Sequence, residues 1–336
     1  MSEARFGNVR AAPGARATGI LSVGEFDQLS FARGAIDIPL IVVNGAKSGP
    51  TMLVLAGCHS GEYVGMEATI AVTRRLDPGQ LAGVLVAIPV LNVHGFAAKV
   101  PYVNPFDNLN INRLWPGDSG GTVGQRITYA VWHEVIARVD YIIDMHGGDF
   151  PEDQADYAIC IEAGDAVADR MSEAMARHYG LPYIRKSPPS EGTTPTGSTA
   201  RMAMKLLKKP SIVSEVGDAG RVDPERLRQD IFGVENVMRL LKMLPGDPVP
   251  PPPNQRAMVD RKSVIATRHG LCRPRVKLYD PVEAGQTVAE VVDFYGEVHE
   301  ALVAPIKGIV AQLFYQGATN PGNIVMKIGK IADQGE

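Results

Sequence analysis

Between residues 38 and 241, short runs of β-branched and apolar side chains take turns with stretches whose apolar positions recur every three or four residues. Residues 38–44 and 51–57 read as strands, 62–75 as a helix, and 84–91 as a further buried strand. Helical spacing returns over 124–138 through Ile127, Val131 and Val135, and feeds a strand at 140–144. The 165–179 stretch opens on an Asp N-cap and stops at Gly180, as capping chemistry favours. A strand at 211–216 follows. Asp223-Pro224 then starts an amphipathic helix through Leu227, Ile231, Val234, Met238 and Leu241, with proline at its first position. Such alternation predicts an α/β domain with a largely parallel sheet, whose functional groups gather at the carboxyl ends of the strands.

A proline run from Pro245 to Pro253 ends that pattern, because consecutive prolines cannot continue a helix and favour an extended spacer. Beyond it, residues 276–278, 287–292, 309–314 and 324–328 read as short strands punctuated by glycines, a small all-β barrel or sandwich. The expected division is an N-terminal segment (1–34), an α/β domain (35–245), a linker (246–255) and a C-terminal β-domain (256–336). With 45% hydrophobic residues and 37 carboxylates against 34 Lys and Arg, the chain is neither disordered nor a coat for nucleic acid. No apolar stretch approaches the ~20 residues of a membrane span, and the N-terminus lacks a signal h-region. Three cysteines without a CxxC pair predict no disulfide framework and suit the cytoplasm.

The chemistry concentrates at strand ends. The run at 51–57 leads directly into Cys58-His59-Ser-Gly-Glu62. A His and a Glu three apart at a strand-to-helix turn can aim two metal-binding groups at one point, or be an ordinary turn imidazole and a helix-start glutamate. His146 closes another buried run, and Gly147 and Gly148 after it allow close backbone approach. Two imidazoles and one carboxylate form a catalytic zinc set with a fourth position open. Glu215, inside an apolar strand, is costly to bury unless it pairs with an arginine or acts as a general base. Asn112-Arg113 offers a neutral donor and a planar fork for a substrate carboxylate, or a surface arginine with an acidic neighbour.

Taken in order, His59-Ser-Gly-Glu62, Asn112-Arg113 with Pro116-Gly117, His146-Gly and Glu215-Val-Gly217 resemble the aspartoacylase/succinylglutamate desuccinylase family, relatives of the zinc carboxypeptidases, over most of residues 35–335. Length and motif style lie nearest the bacterial branch that includes the ectoine-pathway N-acetyl-diaminobutyrate deacetylase. The resemblance implies a mixed sheet flanked by helices, with a C-terminal β-domain partly covering the site. It implies one zinc ion held by His59, Glu62 and His146, with Glu215 as general acid/base and Asn112 and Arg113 on the substrate carboxylate. The activity it implies is hydrolysis of a small N-acyl amino acid, with neither nucleic acid nor membrane as partner; a homo-oligomer is compatible with it. Two departures stand out. Ser60 replaces the usual glycine after the histidine. The 100–107 stretch lacks the arginine that steadies the oxyanion, which leaves His94, Lys99 or Arg201 as donors, or a reaction needing less help.

Two rivals differ in kind. A peptide-cutting metallocarboxypeptidase would share the ligands, but a β-domain narrowing access favours small substrates. A swinging-arm carrier would need an exposed, modifiable lysine, and Lys307 in Ala304-Pro-Ile-Lys307-Gly looks instead like a strand-entry residue. His94 reads as a loop imidazole or a pocket wall. His133 and His178 read as structural, and Cys58 as small and buried. Residues 191–198 form a substrate loop or a plain connection.

Overall fold

The computed structural model describes residues 2–28, 32–189, 196–314 and 317–332. Strands β1 (Ala4–Phe6), β2 (Val9–Ala11), β3 (Ala15–Gln28), β4 (Ala32–Asn44) and β5 (Lys47–Leu55) precede helix α1 (Tyr63–Arg75). Next come β6 (Ala82–Ile88), α2 (Val93–Ala98), α3 (Val123–Glu134), β7 (Tyr141–His146), β8 (Glu152–Gln154) and β9 (Tyr157–Ile161). Helix α4 (Ala166–Tyr179), β10 (Tyr183–Ser187), α5 (Thr199–Leu207), β11 (Ser211–Glu215) and α6 (Pro224–Leu240) follow. The remainder is β12 (Arg256–Ile265), β13 (Gly270–Pro274), β14 (Pro281–Val282), β15 (Thr287–Val292), β16 (Val298–Val303), β17 (Gly308–Phe314), β18 (Ala318–Thr319) and β19 (Ile324–Ile331).

The central strands are parallel: β5 lies between β6 and β7, and β7 pairs with β11. Around them the sheet is mixed, since β11 runs antiparallel to β9, β6 to β4, and β4 to β3. Both faces are buried, which explains the continuous apolar runs. Alternation along each strand sends Met52 and Val54 of β5, with Ile143 and Met145 of β7, toward α1, α4 and α6. Their neighbours Leu53, Leu55 and Ile142 face Ile127, Val131 and Trp132 of α3. Each such fully buried side chain is worth roughly 1.5–3 kcal/mol of transfer free energy.

The N-terminal residues, expected as an undivided segment, form the β1–β2 hairpin and the long antiparallel pair β3–β4. At the other end β12, β19, β17 and β14 pair antiparallel in that order, while β16, β15, β13 and β18 form a second sheet. The first group extends the central sheet. Strand β12 pairs parallel with β10 through Tyr183↔Arg256 and Ile184↔Ala257, and β17 pairs with β8. The strand expected at 276–278 is absent. That stretch turns instead, with Lys277 N–H donating to the Asp280 carboxylate at 2.8 Å and Tyr279 at φ 70°. The proline run is anchored by Asn236 of α6, whose side chain exchanges hydrogen bonds of 2.9 and 2.7 Å with the Val249 backbone. Among the described residues no helix is long and apolar enough to cross a membrane.

Candidate metal and active centre

Parallel pairing brings the carboxyl ends of β5, β7 and β11 to one edge. Leu55 stands opposite Asp144, and Glu215 opposite His146, so the register alone sets two of the predicted residues side by side. Past β5 the chain turns sharply into α1. Glu62 holds the N-cap position but makes no side-chain cap, which leaves its carboxylate free to face the imidazoles. At position 61 a Cβ would lie 2.1 Å from an Asp149 carboxylate oxygen, so any larger residue would have to displace that side chain and the Phe150 ring. At Gly147 a Cβ would meet the Val216 carbonyl oxygen at 2.2 Å, the close approach the strand end requires. Ser60 is accommodated by donating its hydroxyl to the Val100 carbonyl.

His59, Glu62 and His146 are buried, and one donor atom from each lies within 4.8 Å of the others. His59 Nδ1 is 2.7 Å from Glu62 Oε1, and His146 Nδ1 is 2.9 Å from Glu62 Oε2. The far nitrogens are also engaged. His59 Nε2 lies 3.2 Å from Asn110 Oδ1, and His146 Nε2 lies 3.2 Å from Asn112 Nδ2 and 3.4 Å from the fully buried Asp144 carboxylate. Polar groups behind both imidazoles are the kind of backing that metal-binding histidines need to hold their orientation. Glu62 Oε2 is buried without an aligned hydrogen bond among the described residues. This nitrogen, nitrogen and oxygen donor set fits zinc.

Electrostatics follow the same convergence. Burial pushes the Glu62 pKa up, but the facing imidazoles of His59 and His146 outweigh it and hold the carboxyl at about 2. Burial pulls both imidazoles down, and the Glu62 carboxylate, joined at His146 by Asp144, more than reverses this. Glu215 is raised by burial first and by Glu62, against the lowering effect of His146. Cys58 is fully buried, with its thiol pushed up by burial.

Asn112 and Arg113 sit in a single 3-10 turn, Ile111–Arg113. Asn112 Oδ1 accepts from the Thr199 N–H at 3.2 Å, and Arg113 is exposed with its guanidinium on the Asn112 carbonyl at 2.7 Å. All six predicted site residues line one cavity of about 520 Å³. Arg201 lines an adjoining pocket with Asn112, Arg113, His146 and Glu215, whereas His94 and Lys99 line neither. His94 packs edge-on to Phe106, His133 against Tyr129, and His178 bonds to the Ala174 carbonyl. Residues 191–195 of the expected loop lie outside the described residues; Gly197 pairs with Trp115.

Several cavity residues went unseen in the sequence. Gln154 Nε2 donates to Glu215 Oε2, and Gln312 Nε2 of β17 donates to Glu152 Oε2. Burial, then Glu62 and Glu215, push Glu152 up to about 7. Arg261 of β12 and Lys327 of β19 complete the wall. The one sequence signal was Glu152-Asp-Gln154, a polar triplet shortly after His146 that proves to be buried.

Residues 48–241 match the catalytic domain of the succinylglutamate desuccinylase/aspartoacylase family. The chain is 27% identical over 311 residues to the N-alpha-acetyl-L-2,4-diaminobutyric acid deacetylase of Halomonas elongata, covering 90% of this chain and 88% of that protein. The product-bound ectoine utilization protein EutE (DoeB) of Ruegeria pomeroyi superposes with a TM-score of 0.83 at 22% identity, over 94% of each chain. A succinylglutamate desuccinylase from Silicibacter sp. TM1040 gives 0.84 at 22% identity, over 94% of this chain and 95% of that one. At those identities the two structures establish a shared fold.

Proposed function

The chain belongs to the succinylglutamate desuccinylase/aspartoacylase family, and from that premise we propose that it is a zinc-dependent amidohydrolase that deacylates small N-acyl amino acids. The observation that carries this reading is the meeting of His59, Glu62 and His146 within 4.8 Å beside Glu215, in one cavity with Asn112 and Arg113. A zinc ion on the three ligands would supply Lewis acidity, acidifying a water toward pKa ~7 and polarising the acyl carbonyl. Glu215, raised by burial, takes the water's proton and passes it to the departing amine. Gln154 holds one Glu215 oxygen and so fixes the carboxylate's direction. Asn112 and Arg113 hold the α-carboxylate, turning binding energy into orientation of the scissile amide. Three free cysteines suit a reducing, cytoplasmic setting.

Amine release from a panel of N-acyl amino acids and peptides by the zinc-loaded protein tests the reading. Small N-acyl amino acids turn over, chelation stops them, and long peptides are poor substrates. Efficient peptide cleavage with little action on acyl amino acids overturns it in favour of a carboxypeptidase.

A further inference from the structure

Among the described residues, four buried side-chain atoms that line the main cavity lack an aligned hydrogen bond. Three of them, Glu62 Oε2, Gln154 Oε1 and Gln312 Oε1, are acceptors, and only the fourth, the Tyr102 hydroxyl, can donate. The Glu152 carboxyl that faces this hydroxyl already accepts from Gln312 and, at 3.4 Å, from the Asp149 N–H. The Tyr102 ring stands edge-on to His59, with centroids 5.6 Å apart. A buried hydroxyl left unpaired is unfavourable until a group arrives to accept from it.

The turn that carries Tyr102 is pinned from both loops that bear the metal-binding side chains. Ser60, between His59 and Glu62, donates to the Val100 carbonyl, and Asp149, three residues past His146, accepts the Tyr102 N–H at 2.8 Å. Asn92 adds a hydrogen bond of 3.1 Å to the Val103 carbonyl. Tyr102 itself has φ 62°, a left-handed conformation that a bulky side chain adopts only where its surroundings impose it. A glycine at position 60 has no hydroxyl to reach Val100. The serine in the ligand turn and the arginine-free stretch at 100–107, separate departures in the sequence, therefore meet in one arrangement. The donors weighed from the sequence stand elsewhere. His94 and Lys99 line neither pocket, and the Arg201 guanidinium is engaged by the Pro188 carbonyl and the Ser187 hydroxyl.

When water attacks the acyl carbon of an amide, the carbonyl π pair moves onto its oxygen, and the charge gathering there calls for a fixed donor. We propose, resting on the hydrolase reading above, that the Tyr102 hydroxyl donates to this oxygen and that Ser60 is a positioning residue holding the turn that presents it. The phenol keeps its proton throughout. Glu215 carries the water's proton to the amine as the C–N bond breaks and the carbonyl re-forms.

Tyr102→Phe keeps the ring against His59 and removes only the hydroxyl. With zinc loaded, and the N-acyl amino acid that the wild type turns over fastest, it should lower kcat about 10²–10³-fold, with KM within about threefold. Zinc content should stay stoichiometric. Ser60→Ala should lower kcat on the order of 3–10-fold and add little to Tyr102→Phe, since both act through one hydroxyl. A near-normal kcat in Tyr102→Phe overturns the assignment and leaves the hydrolase intact. Losses that multiply in the double variant overturn the part given to Ser60. Calorimetry reads the same contact apart from turnover. N-methylphosphonyl-L-alanine presents a tetrahedral anion where N-acetyl-L-alanine has a planar amide carbonyl. Tyr102→Phe should bind it about tenfold or more weakly than wild type, and L-alanine equally well. Equal weakening of both compounds marks a structural role and refutes the donor. Should no acyl amino acid be hydrolysed, the reaction falls, and the phosphonyl compound still decides the contact. A loss confined to it in Tyr102→Phe supports a donor for a tetrahedral anion, and no difference between the two proteins refutes one.

Discussion

Glu62 occupies the position where a helix normally receives a capping side chain, yet its carboxylate turns away to span the Nδ1 atoms of His59 and His146. Forgoing an N-cap costs about 0.5–2 kcal/mol, a local loss of the kind tolerated where a side chain is needed for function. Glu215 differs in that its neighbours hold it without neutralising it: Gln154 donates to one oxygen while burial raises its pKa. These environments predict separable defects. Glu215→Gln should keep stoichiometric zinc by elemental analysis and lose about 10²–10⁴-fold in kcat. His146→Ala should lose both metal and turnover. Near-normal rates in the first, or full zinc in the second, would remove these residues from their proposed roles.

Helices α4 and α6 are joined by a buried polar contact amid apolar packing. The Tyr179 hydroxyl, at the end of α4, donates to Asp230 Oδ1 of α6 at 2.8 Å, and both residues are inaccessible to solvent. Burial raises the Asp230 pKa well above the ordinary carboxyl range, against the lowering effect of the Tyr179 hydrogen bond. The folded state therefore binds this proton more tightly than the unfolded chain. Its stabilisation is complete below the unfolded carboxyl pKa of about 3.9 and fades as pH rises through the raised folded value. Asp230→Asn keeps an acceptor for Tyr179 and cannot ionise, so urea unfolding at pH 5 and pH 8 should show the variant gaining on the wild type at the higher pH. Tyr179→Phe should cost about 1–3 kcal/mol by leaving the carboxyl without its donor. An unchanged gap between wild type and Asp230→Asn across that range would contradict the protonated assignment. Elements of this kind were legible in advance. The Asp165 cap and Gly180 stop bound α4 as read, because caps are local chemistry. Strand β10, Tyr-Ile-Arg-Lys-Ser, was not legible: its polar side chains break the apolar run, and its pairing with β9 and β12 comes from distant chain.

At the scale of the whole molecule, the strands after the proline run extend the central sheet and wall the cavity with Arg261, Gln312 and Lys327. A metal bound by the folded chain alone must stabilise it by mass action. At a free zinc concentration 100 times Kd the gain is about 2.7 kcal/mol, which should raise Tm by about 4 °C over chelated protein. Calorimetry with and without chelator measures this, and an unmoved Tm would remove the metal from the account. The α/β alternation and the His59, Glu62, His146 and Glu215 positions were within reach of the sequence because they rest on short-range pattern: a strand running into a turn, a capped helix, a charged residue in an apolar run. What the tertiary structure decided was register and company. Pairing of β7 with β11 sets Glu215 opposite His146, and pairing of β10 with β12 brings Arg185 near Arg261. Arginine and lysine are ordinary surface residues when taken singly, so no spacing marks them; they acquire meaning only when packing gathers them around one pocket that holds a single carboxylate, Glu215.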